Sequence, residues 1–154
     1  MTARSGSAFW RIALRVMYRF LRIVDPLIRS ARAIGAPGLD IVVELEVSGR
    51  RSGRRRTTLL TLLTTDGVWY VGHPNGEVEW TRNAEAAGVV QIDPPGAHGK
   101  TFSVVRLQPG AERDAVIRAT RSQQPFPANL VYRAASRHIA TVGVYFRLVP
   151  AEAR

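Results

Sequence analysis

The chain has 154 residues, which is enough for one domain with a hydrophobic core. Its composition, with 45% hydrophobic and 22% charged residues, excludes a largely disordered protein. The absence of cysteine excludes disulfides, thiolate metal sites and a cysteine nucleophile. The formal net charge is +10, and the first 60 residues carry twelve arginines against four acidic residues. This basic front half predicts an anionic partner: a phosphate, an acidic cofactor, a lipid surface or a nucleic acid.

The N-terminal segment predicts an amphipathic helix. The sequence SAFWRIALRVMYRFLRIV, which begins at Ser7, places its arginines on one stripe of a helix and its apolar side chains well away from that stripe. Ser7 is a predicted N-cap. Asp25 before Pro26 predicts a break, followed by a second helix that ends near Gly35.

This segment lacks the sequence of a membrane span, because an arginine interrupts the apolar run every three or four residues. It also lacks the uninterrupted apolar core of a secretory signal. Two interpretations stay open. Either its apolar face packs on the domain or on a second subunit, or residues 8–34 lie in the headgroup plane of an anionic membrane. We expect a cytoplasmic protein, which the second interpretation places peripherally on the inner face of the cell membrane.

After the helical segment the pattern changes to short strands with inserted helices. Strands are predicted at 39–48, 57–65, 68–72, 89–93, 100–109 and 138–150, with helices at 77–88, 111–123 and 129–137 and a loop at 94–99. Asp66-Gly67 predicts a hairpin turn, and Gly88 a helix C-cap. The pattern indicates an α+β fold, a mostly antiparallel barrel. We divide the chain into residues 1–36, a basic amphipathic helical segment, and residues 37–154, the barrel.

The most basic stretch, VSGRRSGRRRTTLLTLL, places five arginines around a glycine turn. Gly49 and Gly53 can take positive φ and let a ligand approach the backbone. A turn of this composition suits a phosphate or several carboxylates. The alternative is a solvated hairpin tip.

Three motifs together resemble the deazaflavin-dependent nitroreductase family: GRRSGRRRTTLL at 49–60, WYVGHPNG at 69–76, and Trp80-x-x-Asn83. That family has a split β-barrel related to the flavin-mononucleotide-binding barrels, and the resemblance covers roughly residues 39–149. It implies binding of coenzyme F-420, a deazaflavin with a phosphate and an oligoglutamate tail, rather than flavin mononucleotide. It also implies hydride transfer from the reduced cofactor to a small hydrophobic substrate, namely a quinone, a nitroaromatic or an activated enone.

The resemblance also implies roles for named residues, and the arginine turn would receive the phosphate and tail. The residues implied to bind the cofactor are Arg51, Ser52, Arg56, Thr57, Gly72, His73, Asn75, Gly76, Trp80 and Asn83. Tyr132 is the candidate proton donor, and the alternative is an aromatic side chain that fills the barrel mouth. By the same analogy we expect a homodimer. A protein of this fold that binds lipid or fatty acyl chains without redox activity is the alternative function.

Other chemistry has weaker support in the sequence. Three scattered histidines predict no metal site. Glu77 and Glu79 fall on the first turn of a predicted helix, where carboxylates favour the helix dipole, so they do not indicate a carboxylate dyad. We expect no nucleic-acid partner, because the sequence contains no helix-turn-helix, zinc-finger or RNP-like pattern.

Overall fold

The computed structural model describes residues 3–36, 39–93 and 99–151. Its helices are α1 (Ala3–Ala33), α2 (Glu79–Ala87), α3 (Ala111–Gln123), α4 (Ala128–Ala134) and α5 (Ser136–Val142). Its strands are β1 (Val42–Ser48), β2 (Arg55–Thr61), β3 (Leu63–Thr65), β4 (Val68–His73), β5 (Val89–Ile92), β6 (Lys100–Arg106) and β7 (Val144–Pro150). They form one antiparallel sheet in the order β2-β1-β5-β6-β7-β4-β3, so the predicted antiparallel α+β fold is confirmed. Residues 94–98 of the predicted loop lie outside the described residues.

The two edge strands of the sheet are consecutive in the chain, and this curls the sheet into a half-barrel. The single strand predicted at 57–65 is wrong: β2 ends at Thr61, and β3 begins at Leu63 on the opposite edge. Between them the backbone N–H of Leu62 donates to the carbonyl of Ile41 at 2.8 Å. Leu62 and Leu63 are both buried, but Leu62 packs inside the barrel and Leu63 packs under the helices. Two buried neighbours on opposite faces look like one continuous apolar strand in the sequence.

The sheet separates two hydrophobic cores. Strand β1 sends Val43, Leu45 and Val47 into the barrel interior, where they meet inward residues of the other strands. The second core lies between the outer face of the sheet and the helices, and includes Tyr145 of β7. Phe146, its neighbour along β7, belongs to the interior, as the alternation of a strand requires.

The strand predicted at 138–150 is also wrong in its first half, which forms α5. Ala135, at the start of α5, and Ile139 are buried in the second core, four residues apart, as one face of a helix requires. The β-branched residues of this stretch favoured a strand, and tertiary packing overrides that preference. By contrast, the Asp66-Gly67 turn is confirmed, with φ of 52° and 75°. The Gly88 C-cap is confirmed as well, at φ 70°.

Helix α1 runs through Pro26 without the predicted break. A proline inside a helix removes one backbone donor, and α1 is anchored to the domain on both sides of it. Leu14 is fully buried before it, while beyond it Arg29 pairs with Glu44 and the Arg32 guanidinium donates to the carbonyl of Asp93 at 2.9 Å.

Ser7 is not the N-cap of α1, because the helix already begins at Ala3. Its hydroxyl lies instead 3.3 Å from Nδ1 of His138 in α5. Within the described ranges, no helix combines the length and the apolar character needed to cross a bilayer.

Candidate functional site

The arginine turn is the tip of the β1–β2 hairpin. The N–H of Gly53 donates to the carbonyl of Gly49 at 2.7 Å, and Gly53 has φ +64°, which glycine takes without strain. The hydroxyl of Ser52 accepts the N–H of Arg54 at 3.3 Å and so helps to hold the turn. Residues 51–57 are all exposed. The tip is therefore a defined loop whose side chains face solvent.

The five arginines of this hairpin divide into two groups. Arg50 lies 2.8 Å from Glu79, and Arg55 lies 3.2 Å from Glu46. The other three, at positions 51, 54 and 56, form no ion pair with any residue that the structure describes. This leaves three exposed guanidinium groups available to a polyanionic ligand.

Arg50 fixes the hairpin to helix α2. Its backbone N–H donates to Oδ1 of Asn83 at 3.2 Å, and its guanidinium donates to the same oxygen at 3.1 Å. Asn83 is buried, and the hydrogen bond from Arg50 lowers the pKa of Glu79. The resemblance implied that Asn83 binds the cofactor; in the structure its carbonyl oxygen joins α2 to the hairpin.

The loop after β4 lies against the N-terminal half of α1. Nδ2 of Asn75 donates to the carbonyl of Arg11 at 3.0 Å, and Oδ1 of Asn75 lies 2.8 Å from Nε2 of His138. The His73 ring packs on Tyr18 with centroids 4.6 Å apart. Burial, then the positive charge of Arg11, lowers the pKa of His138. Helix α1 therefore forms one wall of this region.

A cleft of about 510 Å³ opens between α1, this loop and the start of α2. It brings together three predicted site residues, His73, Asn75 and Gly76, with residues that the sequence interpretation did not assign to a site. The unassigned lining residues are Arg11, Arg15, Tyr18, Glu77, Val78, Arg82 and Val142. The evenly spaced arginines of α1 indicated an anionic partner, but nothing in the sequence shows which loop they face.

Helix α2 connects the cleft to the hairpin. Arg82, in the cleft wall, lies 3.5 Å from Glu77 and 3.9 Å from Glu79, and Glu79 also binds Arg50 of the hairpin. Glu77 is further paired with Arg106 at 3.0 Å, and these arginines lower its pKa. The carboxylates between the two basic regions are thus already neutralised by arginine.

Tyr132 is not part of the cleft lining. It is buried in the second core, and its hydroxyl shares a hydrogen bond with the hydroxyl of Tyr18, which does line the cleft. Burial raises the pKa of both tyrosines, so both hydroxyls stay protonated at neutral pH. Tyr132 is connected to the cleft through Tyr18.

The remaining predicted residues lie apart from the cleft lining. Trp80 packs on the barrel interior, with its ring centroid 6.2 Å from that of Phe146. Thr57 pairs with Glu46 across the hairpin and is exposed. Gly72 lies opposite Tyr145 in the β4–β7 pair.

We expect His73 to make the fold less stable in acid. Burial lowers its pKa from 6.5 to about 4, so between these values the unfolded state binds the proton and the folded state does not. The stabilisation is complete above pH 6.5 and declines as the pH falls towards 4, by about 2 kcal/mol at pH 5. Urea unfolding at pH 7 and pH 5 should show a smaller decline for His73→Gln than for the native chain. An equal loss of stability in the two proteins would contradict the lowered pKa of His73.

A larger cavity, of about 880 Å³, lies elsewhere, at the ends of β4, β6 and β7. Its lining includes Trp69, Phe102 and Leu148 together with the cationic Lys100 and Arg147, and none of the predicted site residues. Size alone therefore does not identify the site. The basic cleft and hairpin contain the chemistry for an anionic ligand, whereas this cavity suits an apolar one.

No family model and no curated protein matches this sequence. Solved structures do match. An F420-H2 dependent reductase is 16% identical with a TM-score of 0.50, covering 70% of this chain and 93% of its own. A candidate pyridoxamine 5′-phosphate oxidase from Listeria innocua is 10% identical, with a TM-score of 0.51 and coverage of 74% and 86%. The heme storage protein HutZ from Vibrio cholerae is 14% identical, with a TM-score of 0.54 and coverage of 84% and 92%.

Identities this low show a common fold and leave the ligand undecided, since two of these names denote oxidoreductases and one a heme storage protein. The curled seven-stranded sheet with its outer layer of helices matches that fold. This chain is therefore a split β-barrel, as the sequence motifs implied.

Proposed function

We propose that this protein is an oxidoreductase that uses coenzyme F-420 to reduce a hydrophobic quinone, nitroaromatic or activated enone. The observation that carries the proposal is the hairpin tip, where three exposed arginines form no ion pair among the described residues while two neighbours are paired. Like charges gathered in this way repel one another, and a bound polyanion relieves that repulsion.

The donors present fit the phosphate and carboxylates of such a cofactor. Arg51, Arg54 and Arg56 offer planar guanidinium groups, which bind carboxylate and phosphate in a bidentate manner. Arg50 holds the hairpin against α2 through Glu79 and Asn83, so the tip is positioned before a ligand arrives. Arg55 pairs with Glu46 across the hairpin itself. Ser52, engaged in the turn, acts as support for the loop.

The cleft is the proposed place for the ring and the substrate. When bound, the cofactor supplies a hydride. Within the cleft, Arg11 and Arg15 supply positive charge, and the Tyr18 ring against His73 excludes water from one wall. The Tyr18 hydroxyl holds a proton at neutral pH, and Tyr132 positions it from the buried side. The role of proton donor, predicted for Tyr132, is thereby proposed for the pair formed by Tyr18 and Tyr132.

The test is a fluorescence titration of the purified chain with coenzyme F-420. Losing one charge-assisted contact corresponds to about 1.5–3 kcal/mol, so Arg51→Ala and Arg56→Ala should each weaken binding by about 10- to 150-fold. Arg118→Ala is the matched control, because Arg118 is an exposed arginine on α3. It should bind as the native chain does.

Two results would contradict the proposal in different ways. Unchanged affinity of both hairpin variants would show that the tail binds elsewhere. No binding by the native chain would favour the alternative function, a protein that holds a lipid or fatty acyl chain. The observation in favour of that alternative is the apolar 880 Å³ cavity, and saturable binding of a fluorescent fatty acid would support it.

A further inference from the structure

One long face of α1 carries large apolar side chains that contact water. Phe9, Ile12, Val16, Phe20, Ile23 and Leu27 are exposed by between 61% and 76%. Spaced three or four residues apart, they follow one side of the helix for about 27 Å. An exposed apolar surface of this extent marks a protein or membrane interaction site.

This exposed stripe differs from the face that packs on the domain. Trp10, Leu14 and Met17 pack into the second core, and Leu14 is fully buried. The two interpretations of the helix that the sequence left open are therefore compatible. The domain covers one apolar face of α1 and leaves the other uncovered.

A row of arginines runs along α1 between the exposed stripe and the cleft, whose wall includes Arg11 and Arg15. Arg11, Arg15, Arg19 and Arg22 are exposed and, within the described ranges, their side chains form no ion pair. Residues 7–24 contain no acidic residue. The surface thus combines an apolar stripe with uncompensated positive charge.

We propose that this face docks α1 in the plane of an anionic lipid bilayer. The apolar stripe enters the boundary between headgroups and acyl chains, and the arginines lie at the level of the lipid phosphates. The docking requires no cofactor, and Arg19 and Arg22 lie outside the cleft lining, so it can be tested independently of the redox activity.

A second copy of this chain is the competing occupant, since spacing of three and four residues also suits helix pairing. Pairing two α1 helices would bring two rows of arginines into the same assembly with no carboxylate in residues 7–24 to offset them. An anionic surface offsets all of them. The charge on α1 therefore favours the bilayer.

The test is cosedimentation of the full chain with vesicles of equal parts phosphatidylcholine and phosphatidylglycerol, and with vesicles of phosphatidylcholine alone. We expect binding to the mixed vesicles that weakens with salt, and little binding to the neutral ones. Phe20→Gln combined with Ile23→Gln should weaken binding about tenfold or more, because two apolar side chains that enter the bilayer on docking are lost. Val89→Gln combined with Val105→Gln is the control, since both valines are exposed on the sheet.

The contribution of the row of arginines is tested separately. Arg19→Gln combined with Arg22→Gln should weaken binding about 30-fold, at roughly fivefold for each arginine near the surface. Arg118→Gln combined with Arg133→Gln makes the same charge change on α3 and α4 and should alter binding less than about threefold. Equal losses in both pairs would overturn the proposal.

Absence of binding to the mixed vesicles by the native chain would also overturn it. Sedimentation velocity without lipid then tests the competing occupant. A native dimer that becomes a monomer with the Phe20 and Ile23 substitutions would assign the stripe to a second copy.

Discussion

Replacing Leu14 with alanine is expected to lower the free energy of unfolding by about 2–5 kcal/mol, the usual range for a fully buried leucine. Leu14 is 0% exposed and packs with Tyr70, Tyr132 and Ile139 in the second core. The substitution leaves a cavity where α1 meets the sheet and the other helices. Urea unfolding followed by circular dichroism measures the change.

Val16→Ala, half a turn away, is the matched control. Val16 is 62% exposed, and a surface change of this kind alters stability by less than about 0.5 kcal/mol. A small effect at both positions would show that α1 does not pack on the domain in solution. That result would also remove α1 as a wall of the cleft.

Gly72→Ala is expected to destabilise the fold by about 3 kcal/mol, at the upper end for overpacking a core. A Cβ at this position would overlap the Tyr145 ring and lie 2.7 Å from the carbonyl of Val144. Gly143 contacts the same ring from another side, where a Cβ would lie 2.9 Å from it. The two glycines make room for a buried aromatic ring between β4 and the helices.

A double-mutant cycle distinguishes this close approach from a general loss of packing. In a Tyr145→Ala background the Gly72 substitution should destabilise the fold by at least about 1 kcal/mol less, because the ring it meets is gone. Additive effects would mean that Gly72 and Tyr145 do not share this contact. Thermal unfolding of the four proteins gives the coupling free energy.

The candidate site shows where local reasoning from the sequence stops. The motif around Gly49 and Gly53 predicted a basic turn, and the hairpin has one. The sequence did not show that Arg50 and Arg55 are already paired, since Glu79 reaches Arg50 only when α2 folds beside the hairpin, and Glu46 reaches Arg55 only when β1 pairs with β2. Which arginines remain for a ligand depends on those contacts.

Tyr18 illustrates the same limit. Its position on an arginine-rich helix gave no reason to connect it with Tyr132, which lies 114 residues further along the chain. Only the packing of α1 against α4 and the loop after β4 brings the two hydroxyls together and makes Tyr18 part of the cleft wall.

Features set by short-range backbone preferences were readable from the sequence alone: the Asp66-Gly67 turn, the Gly88 cap, helix α3 and the concentration of charge in the first 60 residues. These depend on allowed φ and ψ, on the period of apolar residues and on composition. The tertiary structure alone decided the division of a strand at Leu62, the continuity of α1 through Pro26 and the helical form of α5. In each case local preference permitted more than one outcome, and burial against residues distant in the sequence selected one of them.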